Sequence, residues 1–179
     1  NPALHPAALE AVIGQSGRGR LEVANATANI QGDLAVFGGP ANTVQIEGGG
    51  SINVSGTTFV AGTVRGLPAD SLVGPTALAA NTLSSNRIEL YGGGTLDDTH
   101  LDLRDVQTFS ILDGASFRTA KTYDIGGNQI GALDLIDGDL TAQADLNIGT
   151  DSASSGTVTV SGTSELFVSG VLRVGGAGT

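Results

Sequence analysis

The stretch DLNIGTDSASSGTVTVSGTSELFVSGVLRVGGAGT, residues 145–179, decides the fold because it repeats a short unit. Its apolar residues form pairs with one residue between the two members: Leu146/Ile148, Val158/Val160, Leu166/Val168 and Leu172/Val174. Such a pair has the period of two that is typical of a short strand with one buried face. Glycines lie between the pairs at a density that leaves no room for helices. The stretch therefore predicts short strands joined by tight glycine corners.

A similar ladder occurs nearer the start of the chain, where successive pairs begin 10, 8 and 6 residues apart instead of 12, 8 and 6. The pairs of this second ladder are Leu34/Val36, Val44/Ile46, Ile52/Val54 and Thr58/Val60. A unit of this length cannot bury its own apolar face, so it stacks on neighbouring units, with parallel pairing between equivalent strands. The uneven steps favour a right-handed helix with three faces over a left-handed hexapeptide helix. We expect an all-β fold, a right-handed parallel β-solenoid (β-helix) with coils of about 22–26 residues.

The same stretch resembles a known repeat. It has an L-x-I-G opening at 146–149, a GTVTVSG strand at 156–162 and an L-x-V-x-G-x-L-x-V-G pair at 166–175. In this order the motifs resemble the repeat of autotransporter passengers and of exported proteins with a PEP-CTERM sorting tail. The resemblance covers about one fifth of the chain closely and residues 34–60 more loosely.

This resemblance implies a bacterial β-solenoid that is secreted or held at the cell surface, with a structural or adhesive role as a stalk or fibre subunit. It carries no catalytic residues to transfer. Neither a translocator barrel nor a sorting tail occurs in these 179 residues, so the route of export stays open.

Composition agrees with a narrow, repetitive core. The chain has 28 Gly but 5 Pro, and hydrophobic residues make up 40% of it while aromatic residues make up 4%. Val, Leu, Ile and Ala must therefore fill the interior. The absence of Cys from the sequence excludes disulfides, Cys-ligated metals and a thiol nucleophile.

The charge of the chain argues against two classes of partner. Its net charge is −10, and its 8 basic residues form no basic stripe, so nucleic acid is not expected as a partner. No apolar run approaches the roughly 18 residues of a membrane span, so we expect no membrane insertion. The chain does not open with a signal peptide, which makes it the expected mature form of an exported protein.

The chain divides into a short leader and one domain. Residues 1–15 are predicted to form an N-terminal capping helix, because Pro6 precedes apolar residues spaced as on a helix face and Gly14 stands at the expected stop. Residues 16–179 are predicted to form a single solenoid domain. An insertion is expected at 66–85, where the alternating pairs stop and two Pro occur. It either meets a partner or covers a flank of the solenoid.

One acidic cluster offers an alternative function. Asp97, Asp98, Asp102 and Arg104 could serve a polysaccharide lyase or a glycoside hydrolase, since such chemistry needs converging carboxylates or a carboxylate-bound Ca²⁺ beside a base. The carboxylates Asp97, Asp98, Asp102 and Asp105 are the candidate Ca²⁺ ligands, next to an imperfect copy of the Ca²⁺-binding repeat at 92–97. A second acidic group comprises Asp134, Asp137 and Asp139.

Several features weigh against catalysis. The chain has no Trp for stacking on sugars, and its two His residues do not suggest a Ser/His/Asp triad. Aspartates at strand ends are also common in solvated corners. We therefore expect a protein that is not an enzyme and needs no cofactor, with Ca²⁺ as the one ion that the sequence suggests.

The ladders also predict which side chains point inward and which ends are open. The expected core positions are Val44, Ile46, Ile52, Val54, Val158, Val160, Leu166, Val168, Leu172 and Val174. Three aromatic residues, Phe109, Phe117 and Tyr123, are expected to stack inside successive coils.

The sequence stops where a further strand is expected, because Gly178 and Thr179 repeat Gly156 and Thr157. An uncovered coil offers unpaired backbone groups, which favours either a longer solenoid or end-to-end self-association into filaments. A cell-surface or matrix component is a further expected partner. The expected contact residues at the two ends are Leu9, Val12, Ile13, Leu172 and Val174.

Overall fold

The computed structural model describes residues 9–38, 41–67, 80–126, 130–150 and 155–175, with the backbone only for residues 9 and 10. All regular secondary structure among these residues is β-strand, and every strand pairing is parallel. The strands in chain order are β1 (Leu9–Ile13), β2 (Arg20–Ala24), β3 (Thr27–Ile30), β4 (Asp33–Val36), β5 (Thr43–Glu47), β6 (Ser51–Val60), β7 (Thr63–Gly66), β8 (Thr82–Leu90), β9 (Thr95–Asp97), β10 (Asp102–Arg104), β11 (Val106–Leu112), β12 (Ser116–Thr119), β13 (Tyr123–Ile125), β14 (Ile130–Ile136), β15 (Asp139–Ala142), β16 (Leu146–Ile148), β17 (Thr157–Ser161), β18 (Glu165–Val168) and β19 (Leu172–Val174).

The strands stack in three rows. The first row runs through β1, β4, the second halves of β6 and β8, then β11, β14 and β17. The second row runs through β2, β5, β7, β9, β12, β15 and β18. The third row runs through β3, the first halves of β6 and β8, and β10, and resumes with β13, β16 and β19. The rows form a β-solenoid of about six turns, which confirms the predicted all-β parallel solenoid.

The register keeps apolar side chains in columns. In the second row the inward column is Leu21, Val44, Val64, Leu96, Phe117, Leu140 and Leu166. Three side-chain hydrogen bonds between neighbouring coils, from Asn147 to Asp124, from Asn53 to Asn29 and from the Val171 N–H to Asp145, span 23, 24 and 26 residues, within the predicted coil length. A longer span of 32 residues separates Thr63 from Thr95, whose hydroxyls are hydrogen-bonded, and residues 68–79, which lie outside the described residues, fall within it in sequence.

The predicted N-terminal helix is wrong where the structure describes it. Leu9–Ile13 is a strand that pairs in parallel with Asp33–Val36, and the Ile13 carbonyl accepts a 2.9 Å hydrogen bond from the Phe37 N–H. An isolated two-turn helix is marginal in water, whereas the edge of a solenoid supplies ready backbone partners. The part of that prediction that falls on residues 1–8 lies outside the described residues.

The strand ladder resumes within the range predicted for the insertion. Strand β7 ends at Gly66 and β8 begins at Thr82, where it pairs with both β6 and β10. Residues 68–79, which make up most of the predicted insertion, lie outside the described residues.

One continuous apolar core fills the solenoid. Val44, Ile46, Ile52 and Val54 are buried in it, as expected for inward positions. The three aromatic rings come from the three faces of one coil: the centroids of Phe109 and Phe117 are 4.8 Å apart, and those of Phe117 and Tyr123 are 5.8 Å apart. The rings do lie in the core and in contact, but the prediction that they occupy successive coils is wrong, because β11, β12 and β13 are the three faces of a single turn, whose next turn is β14, β15 and β16.

The corner at residues 92–94 shows why glycine recurs between strands. Gly92 and Gly93 have φ of 57° and 77°, which side chains disfavour. Gly94 has ordinary φ, but a Cβ there would lie 2.1 Å from the carbonyl oxygen of Val60. The corner therefore turns tightly and also lets the backbone approach the coil below.

Candidate functional site

The acidic cluster predicted from the sequence lies around the corner between β9 and β10. Asp97 ends β9, Asp98 follows it, and Asp102 begins β10. Arg104 ends β10, and Asp105 occupies the next corner with a φ of 59°. The cluster thus spans one side of a single coil.

Asp98 points into the core. It has no exposed surface, and its Oδ2 accepts hydrogen bonds from the Tyr123 hydroxyl and, at 3.0 Å, from the Thr119 hydroxyl. Its Oδ1 finds no hydrogen-bond donor among the described residues. Arg118 pairs with Asp97, so Thr119 and Asp98 take equivalent inward positions in adjacent coils.

The surroundings of Asp98 shift two pKa values. Burial raises the pKa of Asp98 to about 6, although hydrogen bonds from Tyr123 and Thr119 and the charge of Lys121 oppose the rise. Burial and the neighbouring Asp98 carboxylate also raise the pKa of Tyr123 far above its ordinary range. The pair is enclosed, and it forms part of the core.

Asp102 belongs to a different group of contacts on the outside of the coil. The Lys121 ammonium donates to Asp102 Oδ1 and, at 2.8 Å, to the carbonyl oxygen of Leu101. The Arg104 guanidinium lies 3.9 Å from the same carboxylate and is largely exposed. The side chain of Lys121 therefore joins two coils.

These side-chain contacts fall at the interruption of the third row. Strand β10 pairs with β8, while β13 pairs with β14 and β16, so no described backbone ladder links β10 to β13. Lys121, Tyr123 and Thr119 connect the two coils at this point through Asp102 and Asp98. Side chains thus replace a missing backbone ladder.

The other two carboxylates of the cluster have partners of their own. Asp97 accepts from the N–H and hydroxyl of Thr99, at 2.9 and 2.6 Å. Burial opposes ionisation of Asp97, but these hydrogen bonds and the charge of Arg118 outweigh it and lower its pKa. Asp105 accepts from the Ser84 hydroxyl at 2.8 Å.

The four candidate Ca²⁺ ligands therefore turn toward four different sets of neighbours. Within the described ranges no group of three or more His, Asp or Glu side chains is arranged to hold a metal ion. The corner at 92–97, which resembles a Ca²⁺-binding repeat in sequence, is a turn followed by β9.

The second acidic group also contacts the next coil. Asp137 Oδ1 accepts from the Thr163 N–H at 2.8 Å, and Asp139 Oδ1 accepts from the Glu165 N–H at 3.0 Å. Asp145 follows the same pattern with the Val171 N–H at 2.9 Å. That hydrogen bond and the Arg173 guanidinium lower the pKa of Asp145.

Three residues that contact the acidic cluster were not connected with it from the sequence, although Tyr123 was expected in the core. Thr119, Lys121 and Tyr123 contribute the contacts to Asp98 and Asp102, but they lie about one coil away in sequence. The sequence did contain a signal for Asp98. Leu96 and Phe117 point inward, and side chains alternate along a strand, so Asp98 and Thr119, two residues later, point inward as well. An Asp in an inward column calls for donors in the next coil.

The candidate contact residues at the two ends are only partly covered. Among them Leu172 is 47% exposed, Val174 is 71% exposed and Val12 is 37% exposed. Val160, Leu172 and Val174 were expected in the core, but they are exposed, Val160 by 47%, because no described coil covers the last one. Other residues of the end strands are partly buried against the core, namely Ile13, Val158, Leu166 and Val168. The side chain of Leu9 lies outside the described residues.

A shallow, open groove of about 470 Å³ follows the edge of the first coil. It is lined by residues 21–24 of β2, by Ala26 in the corner and by residues 27–28 of β3. The described residues include no helix that could cross a membrane.

Comparison with known protein families, with curated proteins and with solved structures gave no match to this chain.

Proposed function

We propose that this chain is a structural or adhesive β-solenoid of a bacterial cell surface or extracellular matrix, a stalk or fibre unit that is not an enzyme. The observation that carries the proposal is the use of carboxylates between coils. Asp137, Asp139 and Asp145 each accept a backbone N–H from the following coil, and Asp33 does the same with Thr57 at 2.7 Å.

This pattern gives the acidic side chains a structural role. A carboxylate that accepts a backbone N–H makes a charge-assisted hydrogen bond, which is stronger than a neutral one. Repeated from coil to coil, such bonds fix the corners of the solenoid, while the apolar columns fix its strands. The net charge of −10 then covers the outside and keeps neighbouring solenoids apart.

The resemblance of residues 145–179 to the repeats of autotransporter passengers and PEP-CTERM proteins supports the proposed location. Those repeats belong to exported bacterial solenoids. The same acidic exterior disfavours nucleic acid and suits a hydrated matrix or surface partner.

The alternative is a polysaccharide lyase or hydrolase that uses Asp97, Asp98, Asp102 and Arg104. Such an enzyme needs two carboxyl groups that flank one bond, or carboxylates that share one metal ion. Asp98 is enclosed by Thr119 and Tyr123, and Asp102 is held by Lys121. This arrangement favours the structural role.

Two experiments test the proposal. Antibodies against the purified chain should label intact, unpermeabilised cells or their surrounding matrix, and labelling confined to the cytoplasm would overturn the location. Incubation with uronic-acid polymers and Ca²⁺, beside an active lyase as positive control, should release no unsaturated products. Release that disappears in the Asp102→Ala variant would overturn the structural role.

A further inference from the structure

We propose that a second copy of this chain docks head to tail, with the first coil (β1, β2, β3) of one copy on the last coil (β17, β18, β19) of the other. The two copies keep the register that relates successive coils, so that Arg20 of one copy faces Glu165 of the other. This inference rests on the proposed structural function and specifies its partner and joint.

The apolar columns of the two ends match. The first and second rows are continuous from the first coil to the last, so the next position of each column is defined. One further step in register places Val158 on Ala11, Val160 on Ile13, Leu166 on Leu21 and Val168 on Val23. Every one of these contacts joins two apolar side chains, and docking would cover the side chain of Val160, which is 47% exposed.

The outward column beside them supplies opposite charges at its ends. This column runs through Arg20, Thr43, Thr63, Thr95, Ser116, Asp139 and Glu165. Its middle is uncharged, its start is basic, and its end is acidic. The Arg20 side chain is 58% exposed and bonds to Gln45 and Glu22 of its own chain. In the docked pair it would also meet Glu165, while Glu22 would meet the uncharged Phe167.

The backbone of the two end strands of the second row can make the same contact. Strands β18 and β2 are the two ends of the seven-strand row, and no described strand pairs with their outer edges. Unpaired N–H and C=O groups of an edge strand are a template for another strand. Because the joint is heterologous and does not close, it propagates from copy to copy.

The test exchanges the charges of the joint. Arg20→Glu alone sets Glu against Glu, and Glu165→Arg alone sets Arg against Arg, so each variant should associate about tenfold or more weakly than the wild type in sedimentation experiments. Both side chains are exposed, so both variants should unfold at the wild-type temperature. The double variant should recover the association, and so should an equimolar mixture of the two single variants, because every joint in an alternating filament is then matched.

Arg118→Glu is the control, since it makes the same change of charge as Arg20→Glu on a middle coil and should leave association unchanged. A wild-type chain that stays monomeric up to about 1 mM overturns the joint. It is overturned as well if Arg118→Glu weakens association as much as Arg20→Glu, or if the mixture fails to recover it. Surface labelling and the absence of lyase products are unaffected by these outcomes, so the proposed function stands or falls separately.

Discussion

Single polar residues decide how the coils of this solenoid join. Asn42 is buried between two coils, where it accepts from the Gly19 N–H and donates to the carbonyl oxygens of Gly14 and Phe37. Asn81, which directly precedes β8, is also buried. It accepts from the Gly49 N–H and donates to the carbonyl oxygens of Leu67 and His100. Each side-chain amide hydrogen-bonds to backbone groups that have no partner in the strand ladders, and buried polar groups need such partners.

Replacement of Asn42 by Ala should lower the free energy of unfolding by about 2–3 kcal/mol, because it leaves buried backbone groups without partners. Urea unfolding followed by circular dichroism measures this loss. Asn29→Ala is the matched control, since Asn29 makes one exposed hydrogen bond to Asn53. Equal losses for the two variants would contradict the role of Asn42.

Asp98 makes stability depend on pH in an unusual direction. Its pKa is about 6 in the folded protein against an ordinary 3.8, so the folded state holds the proton more tightly than the unfolded state does. The stability gained from this proton is complete below pH 3.8 and is lost as the pH rises through 6. Asp98→Asn cannot ionise and lacks this dependence.

We therefore expect wild type to lose about 2–3 kcal/mol of stability relative to Asp98→Asn between about pH 4 and pH 7. Thermal and urea unfolding of both proteins across this range measures the difference. The other carboxylates titrate in both proteins, so their contribution cancels in the comparison. Unfolding curves that stay parallel at every pH would place Asp98 outside the core.

At the scale of elements, a strand forms wherever a neighbouring strand offers an edge. Residues 9–13 have helix-compatible spacing, yet they pair with β4. Helix propensity is a weak preference in so short a segment, and parallel pairing satisfies its backbone groups at once. The position of a strand in the stack also determines its burial, as β14 and β17 show.

The variants Leu135→Asp and Val160→Asp compare these two strands, because the residues pair in register one coil apart. Leu135 is fully buried, so Leu135→Asp buries a charge without a partner and should cost about 4 kcal/mol or more. Val160 is half-exposed in the single chain, so Val160→Asp should cost less than about 1–2 kcal/mol. Chemical unfolding measures both, and equal costs would contradict the stacking order.

At the scale of the whole molecule, the described coils form a short solenoid. About six turns, each rising roughly 4.8 Å, give a length of only about 30 Å. Repeat proteins are also stabilised mainly by contacts between neighbouring coils.

Hydrogen exchange should therefore be graded along the stack. Amides of β8 and β11, which have a coil on either side, should exchange slowest, and those of β19 fastest, since end coils open locally. Exchange measured by mass spectrometry at low and high protein concentration checks this, and protection of β2 and β18 should grow with concentration if copies stack. Uniform exchange along the chain would contradict the graded stability.

The sequence by itself determined the strand type, the glycine corners and the inward columns. These features follow from local physics: a period of two selects one face of a strand, and glycines such as Gly92 and Gly93 supply a φ that other residues avoid. The buried Val44 and Ile46 and the inward position of Phe109 and Phe117 could be predicted for that reason.

Only the tertiary structure decided what each position meets in the next coil. Residues 9–13 became a strand because β4 lies beside them, and Asp98 became part of the core because Tyr123 and Thr119 reach it from the next coil. Val174 remains exposed although its alternation matches that of buried residues. Each outcome depends on a partner more than twenty residues away, and no local pattern encodes such a partner.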